Sequence, residues 1–253
     1  MTQYTDQQLT DLILKFLERR GYKHVDVRAA LCDMDGTLYD SMPWHARAWH
    51  AVCDEYGIRS DVDEFFMYEG MTGAATINVL FRREFNREAT PDEIKEFYHR
   101  KTVKFCEFQP VSVMPGAKSV VREFISRDIT PVLVTGSGQS SLIKRLGEDY
   151  DNAFNPDIYV TAADVRHGKP DPEPYLMALN HAGVSADRAI ALENAPLGVR
   201  SAADAGVFTV AVATGPIPLE ALGAEGAAIV FSSMEECAAT MPRLLTLLQQ
   251  TAI

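Results

Sequence analysis

Residues 29–41 read AALCDMDGTLYDS. A short apolar run, Ala29 to Cys32, meets Asp33 and Asp35, and Gly36 and Thr37 follow at once. An apolar run that ends in turn residues predicts a buried strand. In a strand, side chains at i and i+2 share one side, so the two carboxylates are expected to crowd one spot. Like charges held that close repel and move each other's pKa. The stretch therefore predicts either a bound cation or one carboxylate that holds a proton.

Working outward, the first strand is expected over residues 25–32. Before it, TDQQLTDLILKFLERR (residues 5–20) carries Leu9, Leu12, Ile13, Phe16 and Leu17 on one helical stripe. Thr5 or Asp6 is placed to cap its start, and Gly21 follows its end. This helix either packs on the core or meets a partner. From 42 to 106 the pattern is helical and rich in aromatics, with WHARAWHAVCDEYGI, ATINVLFRREF and PDEIKEFYHRKTVKF and no strand. Asn86 to Pro91 marks a break, and Pro91 a helix start.

After Pro110 the rhythm changes. PGAKSVVREFISRD, SGQSSLIKRLG, YLMALNHAG and PLGVRSAADAG read as helices. TPVLVTG, IYVTAADV, RAIALEN, VFTVAVATG and AAIVFSS read as strands. Strands that alternate with helices predict an α/β fold, a doubly wound parallel sheet, with a helical insert after the first strand. The expected division is 1–41 for the N-terminal helix and first strand, 42–108 for the insert, and 109–253 for the rest of the core.

Composition narrows the partners. The chain has 253 residues, 47% apolar, and a net charge of −11, which fits a soluble globular protein. Nucleic acid is a poor partner for such a surface, because phosphate backbones need Lys and Arg patches. No apolar run approaches the length of a membrane span, and the first twenty residues are too polar for a signal peptide, so no membrane partner and a cytoplasmic location are expected. The four cysteines, Cys32, Cys53, Cys106 and Cys237, form no CxxC pair. Spacing leaves disulfides open, and buried free thiols are the simpler reading.

In open α/β sheets, ligands bind beyond the carboxyl ends of the strands. Four polar clusters fall there: Asp33 with Asp35, Thr135-Gly136-Ser137, Lys169, and Glu193 with Asn194. Each alone reads as a solvated turn. Together, in this order, they converge on one crevice.

DMDGTLYD, VLVTG, HGKPDPEPY and LENAPLGVRSAADAG together resemble the four motifs of the haloacid dehalogenase-like (HAD) superfamily of phosphoryl-transfer enzymes. The resemblance runs from about residue 27 to 235. It implies a Rossmann-like core with a helical cap, Asp33 as nucleophile through an aspartyl-phosphate, and Asp35 as general acid and base. It implies Mg²⁺ held by Asp33, Asp35 and the fourth motif, Glu193 and Asn194. Thr135, Gly136 and Ser137 would hold phosphoryl oxygens, and Lys169 would neutralise charge.

The chain departs from that pattern twice. The fourth motif is usually Glu-Asp or Asp-Asp, and here Asn194 brings an amide oxygen without charge. Glu69, in YEGMTGAA, is the candidate to supply the missing carboxylate; otherwise it is an ordinary exposed glutamate. The insert resembles the cap of β-phosphoglucomutases, whose arginine after the loop glycine is absent from Met71-Thr72-Gly73-Ala74-Ala75. His45 and Lys101 match a histidine and a lysine of those caps, and His45 is equally a hydrogen-bonded helix residue. Met42-Pro43-Trp44-His45, Glu69 to Asn78, and Glu193 to Gly198 are similar to HAD inorganic pyrophosphatases. The resemblance ranks pyrophosphate or a small phosphate monoester first, hexose-phosphate mutation second, and a catalytically weak phosphate-binding protein as the other class.

Overall fold

The computed structural model describes residues 4–108 and 111–253. The expected boundary at 108–109 and the change of rhythm after Pro110 fall at Gln109 and Pro110, which lie outside the described residues.

Five short parallel strands make the sheet: β1 (Ala29–Cys32), β2 (Thr130–Leu133), β3 (Ala189–Glu193), β4 (Phe208–Val212) and β5 (Ile229–Phe231). Their order is β2-β1-β3-β4-β5. Every residue of β1, β3 and β4 is buried. That is why these strands read as unbroken apolar runs rather than alternating ones: helices cover both faces of a parallel sheet.

The helices are α1 (Asp6–Arg20), α2 (Met42–Glu55), α3 (Glu64–Met67), α4 (Gly73–Phe85), α5 (Pro91–Glu107), α6 (Ala117–Ser126), α7 (Ser140–Asp149), α8 (Glu173–Ala182), α9 (Pro196–Asp204), α10 (Leu219–Ala224) and α11 (Met234–Gln250). Thr5, not Asp6, caps α1, in a reciprocal capping box with Gln8. Leu9, Ile13, Phe16 and Leu17 of α1 are buried in the same apolar cluster as Leu244 and Leu248 of α11 and Phe208 of β4. The stripe on α1 is therefore core-packed, and the partner-binding alternative loses its surface.

Helices α2 to α5 lie between β1 and α6 and form a second apolar cluster around Trp49, Phe65, Phe81 and Phe97. Val199, Ala211, Ile217 and Leu222 of the sheet side join that cluster, so the insert is seated on the core by apolar contact. Asn86, at positive φ, ends α4, and Thr90 starts α5 with a capping box to Glu93.

Several expectations need correction. The strand expected over 25–32 is only Ala29–Cys32 long; Asp26 and Arg28 still donate backbone hydrogen bonds to Asp187 and Arg188, outside a regular ladder. IYVTAADV is not a strand: it makes one bridge, Val160 to Val134, because Asp164 takes the Thr161 amide and hydroxyl and turns the chain. The four cysteines are free, but Cys106 is exposed on α5 rather than buried. Among the described residues, no helix is long and apolar enough to cross a membrane.

Candidate active site

The chain runs outward from β1 to β2 and then crosses back to β3, so the strand order reverses beside β1. A crevice opens at the carboxyl ends of the strands at such a reversal. Asp33 follows β1, Thr135 follows β2, Glu193 ends β3 with Asn194 after it, and Lys169 lies in the loop that leads to α8. The fold brings all of these sequence-predicted residues to one place, and all are buried.

Lys169 is the hub. Its Nζ donates to Asp33 Oδ1 at 2.5 Å, to Glu193 Oε1 at 2.6 Å and to the Val134 carbonyl at 3.1 Å. Burial opposes its charge, but Asp33 and Glu193 outweigh this and hold the ammonium protonated beyond its usual range. Tyr175 donates to Glu193 Oε1 at 2.6 Å. The Lys169 loop is itself braced: Glu173 accepts the amides of Arg166 and His167, and Asp171 accepts the amide of Glu173. His167, Asp171 and Glu173 bring ligand-type atoms together on the surface, where both Glu173 oxygens and one Asp171 oxygen already accept backbone amides.

The two aspartates of the opening motif line one pocket, as alternation predicts, but their hydrogen bonds point to different sides of it. The ladder ends at Cys32, and Gly36 turns the chain at φ +74°. Asp33 faces Lys169, whereas Asp35 faces the insert. Asp35 Oδ1 accepts from Ser41 Oγ at 2.6 Å and from His45 Nε2 at 2.9 Å. Lys101 Nζ donates to His45 Nδ1 at 2.5 Å, so a neutral imidazole carries its proton on Nε2 and bridges the ammonium to the carboxylate. Burial would raise the Asp35 pKa, but His45, Ser41 and Lys101 outweigh it and pull it down to about 2. Burial and the neighbouring Lys101 keep His45 below its usual range, and burial lowers Lys101 to about 8. His45 stacks on Phe105, and the Lys101 ammonium sits over Trp49, Tyr98 and Phe105.

The loop between α3 and α4 carries Glu69 to the core. Asn194 Nδ2 donates to Glu69 Oε1 at 2.7 Å, and Thr37 Oγ1 donates to Asn194 Oδ1 at 3.2 Å. Glu69 is buried, not the exposed glutamate of the alternative reading. Burial raises its pKa well above the carboxylate range; the Asn194 bond opposes this, and Asp33, Glu193 and Asp35 add to it. Burial, then Glu193 and Asp35, likewise push Asp33 up to about 8, against the pull of Lys169.

Four buried carboxylates, Asp33, Asp35, Glu69 and Glu193, thus face two ammonium groups, Lys101 and Lys169. A fully ionised cluster is left with two negative charges. Like charges about 4 Å apart cost on the order of 4 kcal/mol at the effective dielectric of such sites. A divalent cation removes that cost. The groups at Asn194 are carboxylates and an amide without sulfur or imidazole, the set a hard cation such as Mg²⁺ takes; the amide now turns its nitrogen to Glu69 and its oxygen to Thr37, and would rotate to offer that oxygen to the ion. The residues present fit it.

Thr135 Oγ1 accepts the Ser137 amide at 3.0 Å, and the Tyr98 hydroxyl of α5 accepts the Gly138 amide at 2.9 Å. The loop then enters the amino end of α7, where partial positive charge favours an anion. A cavity of about 60 Å³ lies between loop and insert, walled by Met42, Trp49, Phe65 and Tyr68 on one side and Asp33, Asp35, Glu69 and Thr135 on the other. Ser41, Thr37, Tyr98 and Tyr175 were not singled out from sequence. Tyr175 sits within GKPDPEPY, so its spacing from Lys169 was a usable signal; Tyr98 had none.

A half-open pocket with a lysine-paired aspartate at a strand end is the arrangement of a phosphoryl-transfer enzyme. Residues 27–206 match the haloacid dehalogenase-like hydrolase family, and the chain belongs to it. It is 29% identical over 182 residues to hexitol phosphatase A of Escherichia coli, covering 72% of this chain and 81% of that protein. It is 24% identical over 197 residues to the β-phosphoglucomutase of Bacillus subtilis, covering 75% and 84%. A solved structure from Bacteroides vulgatus, provisionally assigned as a β-phosphoglucomutase, matches at 42% identity and TM-score 0.94 over 97% of this chain and all of that one.

Proposed function

We propose that the protein is a Mg²⁺-dependent phosphohydrolase that transfers a phosphoryl group to Asp33 and then to water, acting on inorganic pyrophosphate or a small phosphate monoester. The observation that carries this reading is the Glu69–Asn194 contact: the insert lends a carboxylate to the amide that stands where the family has an acid, beside the cavity that would take the reacting phosphoryl group. About 60 Å³ holds on the order of four waters.

In this reading Asp33, Glu69, Asn194 and the Asp35 backbone carbonyl hold the metal, and the bound ion supplies charge neutralisation for the phosphoryl oxygens. An Asp33 oxygen attacks phosphorus and the bond to the leaving oxygen breaks. Asp35 relays to that oxygen a proton held in the His45–Lys101 network. In the second half water attacks phosphorus, Asp35 takes its proton, and the bond to Asp33 breaks to return the free carboxylate. Lys169 stabilises the charge that builds on the transferred group and holds Asp33 in place. Thr135, Gly136 and Ser137 bind the phosphoryl oxygens.

The test is a steady-state assay that compares pyrophosphate with β-glucose 1-phosphate in Mg²⁺, reading both phosphate and glucose 6-phosphate. Phosphate release from pyrophosphate without glucose 6-phosphate is expected. Rapid formation of glucose 6-phosphate would install the second reading, a hexose-phosphate mutase, which the Bacteroides vulgatus likeness favours and which the loop from Met71 to Ala75, without an arginine, disfavours.

The metal also governs stability. Asp33 and Glu69 titrate above their unfolded values, so the metal-free fold binds more protons than the unfolded chain over that range. Its stability is full near the unfolded carboxylate pKa and falls as pH rises toward 8, by at most about 1.4 kcal/mol per pH unit for each group. With a chelator, the thermal midpoint is expected to drop from pH 5 to pH 8.5 more steeply than with saturating Mg²⁺. Parallel melting curves in the two conditions would remove the cation from this cluster.

A further inference from the structure

Four core glycines meet the insert. A Cβ on Gly36 would strike Asn194 and Glu69, one on Gly136 the Gly70 carbonyl, one on Gly138 the Tyr98 hydroxyl at 3.0 Å, and one on Gly168 the Thr72 Cγ2 at 2.7 Å. Elsewhere glycine serves backbone shape: Gly21, Gly57 and Gly183 have positive φ and open space around the missing Cβ. Gly136, Gly138 and Gly168 are the reverse. None lies in the positive-φ region, so any residue could adopt their backbone, and what they lack is room. Gly136 and Gly138 lie in the phosphate-side loop, and Gly168 lies beside Lys169.

We infer that the Gly168–Thr72 contact determines substrate size: with no side chain at 168, the insert settles onto the core far enough to engage Glu69 and to exclude phosphate esters with a bulky leaving group. The inference rests on the small-substrate hydrolase reading. Thr72 caps α4 by accepting the Ala75 amide at 3.3 Å, and Glu69 and Gly70 lie just before it. A wedge at 168 therefore lifts the segment that carries the Glu69 carboxylate and opens the cavity roof together. Thr72 itself touches no reacting group. The nearest atom is its methyl, with the Thr72 backbone nitrogen next at 3.3 Å, so Thr72→Ser removes the closest obstruction and keeps the capping hydroxyl.

The experiment measures kcat/KM for pyrophosphate, methyl phosphate and a hexose 6-phosphate, and the half-saturating Mg²⁺, in wild type, Gly168→Ala, Thr72→Ser and the double variant. Gly168→Ala is expected to lose about 10- to 100-fold toward the two small substrates, the cost of a displacement near 1 Å, to need more Mg²⁺, and to shift the small-to-large ratio toward the hexose ester. Thr72→Ser alone stays near wild type, and the double variant returns to within about 3-fold of it. A loss that Thr72→Ser does not repair would assign the effect to the neighbouring Lys169 and overturn the inference, as would an unchanged substrate ratio. Should Gly168→Ala fold poorly, Gly138→Ala repeats the wedge at a second contact, with Tyr98→Phe as relief measured against Tyr98→Phe alone, because that variant also loses the bond from the Gly138 amide. Wild type that turns over neither pyrophosphate nor methyl phosphate defeats the functional reading on its own; wild type that ignores pyrophosphate alone narrows that reading to monoesters, and the methyl-to-hexose ratio across the variants still judges the seam.

Discussion

Asp33→Asn is expected to lower phosphate release by at least about 10,000-fold while keeping the thermal midpoint at or above that of wild type. The loss follows from chemistry: an amide is a far poorer nucleophile than a carboxylate, and removal of a covalent nucleophile costs on this scale or more. The retained fold follows from Lys169, which keeps Glu193 at 2.6 Å and the Val134 carbonyl at 3.1 Å when Asp33 loses its charge. The ammonium is not orphaned, and one of the crowded carboxylates is gone. Trapping an acid-stable phosphorylated enzyme with wild type and none with the variant would complete the case. Turnover within about 10-fold of wild type, with the same product, would remove Asp33 from the nucleophile's role.

Glu69→Ala is expected to raise the Mg²⁺ needed for half-maximal activity by about 10- to 100-fold. A second substitution makes the result diagnostic. Asn194 holds the place where the family's fourth motif carries an acid, so Asn194→Asp in the Glu69→Ala background returns a carboxylate to the opposite side of the same contact. Recovery of most of the lost metal affinity is the expected result. Asn194→Asp with Glu69 still present sets two carboxylates at the 2.7 Å contact now made by amide and carboxylate, so it should depend more strongly on the metal for its thermal stability. Metal dependence near wild type in Glu69→Ala would show that the carboxylate from the insert is not a ligand.

Much of this site is legible in the chain, for a physical reason. Asp33, Thr135 and Glu193 each follow or end an apolar run, and a parallel sheet forces every such end onto one edge; Lys169 comes from a polar loop and is read from its motif alone. The alternation that predicts the sheet thus also predicts the crevice. Strand lengths are less legible: β1 loses residues 25–28 to irregular pairing with the 187–188 segment, and the IYVTAADV run is apolar because Val160 is buried against Val134, not because it extends a ladder. Asp33 and Asp35 do line one pocket, but the strand stops one residue before the motif, and their bonds run to Lys169 and to His45. What sequence does not carry is how the insert meets the core. Tyr98 and Gly138 lie 40 positions apart, and Thr72 and Gly168 further still. Their contacts depend on how α2 to α5 pack around Trp49 and Phe97, which no local pattern encodes.

The position of β1 bears on how the chain reaches this state. It is made early, yet its two sheet neighbours are β2, about a hundred residues later, and β3, later again, and α1 waits for α11 at the far end to bury its stripe. Contacts this distant in sequence carry a large loop-closure cost before they return any stabilisation, and they slow folding. The insert, with mostly local contacts, can gather its aromatic cluster while the sheet is still unpaired. During synthesis β1 is therefore an apolar strand with both edges open, followed by helices whose cluster still lacks Val199, Ala211, Ile217 and Leu222. Conditions that delay β2 and β3 leave that strand open to pairing with other chains.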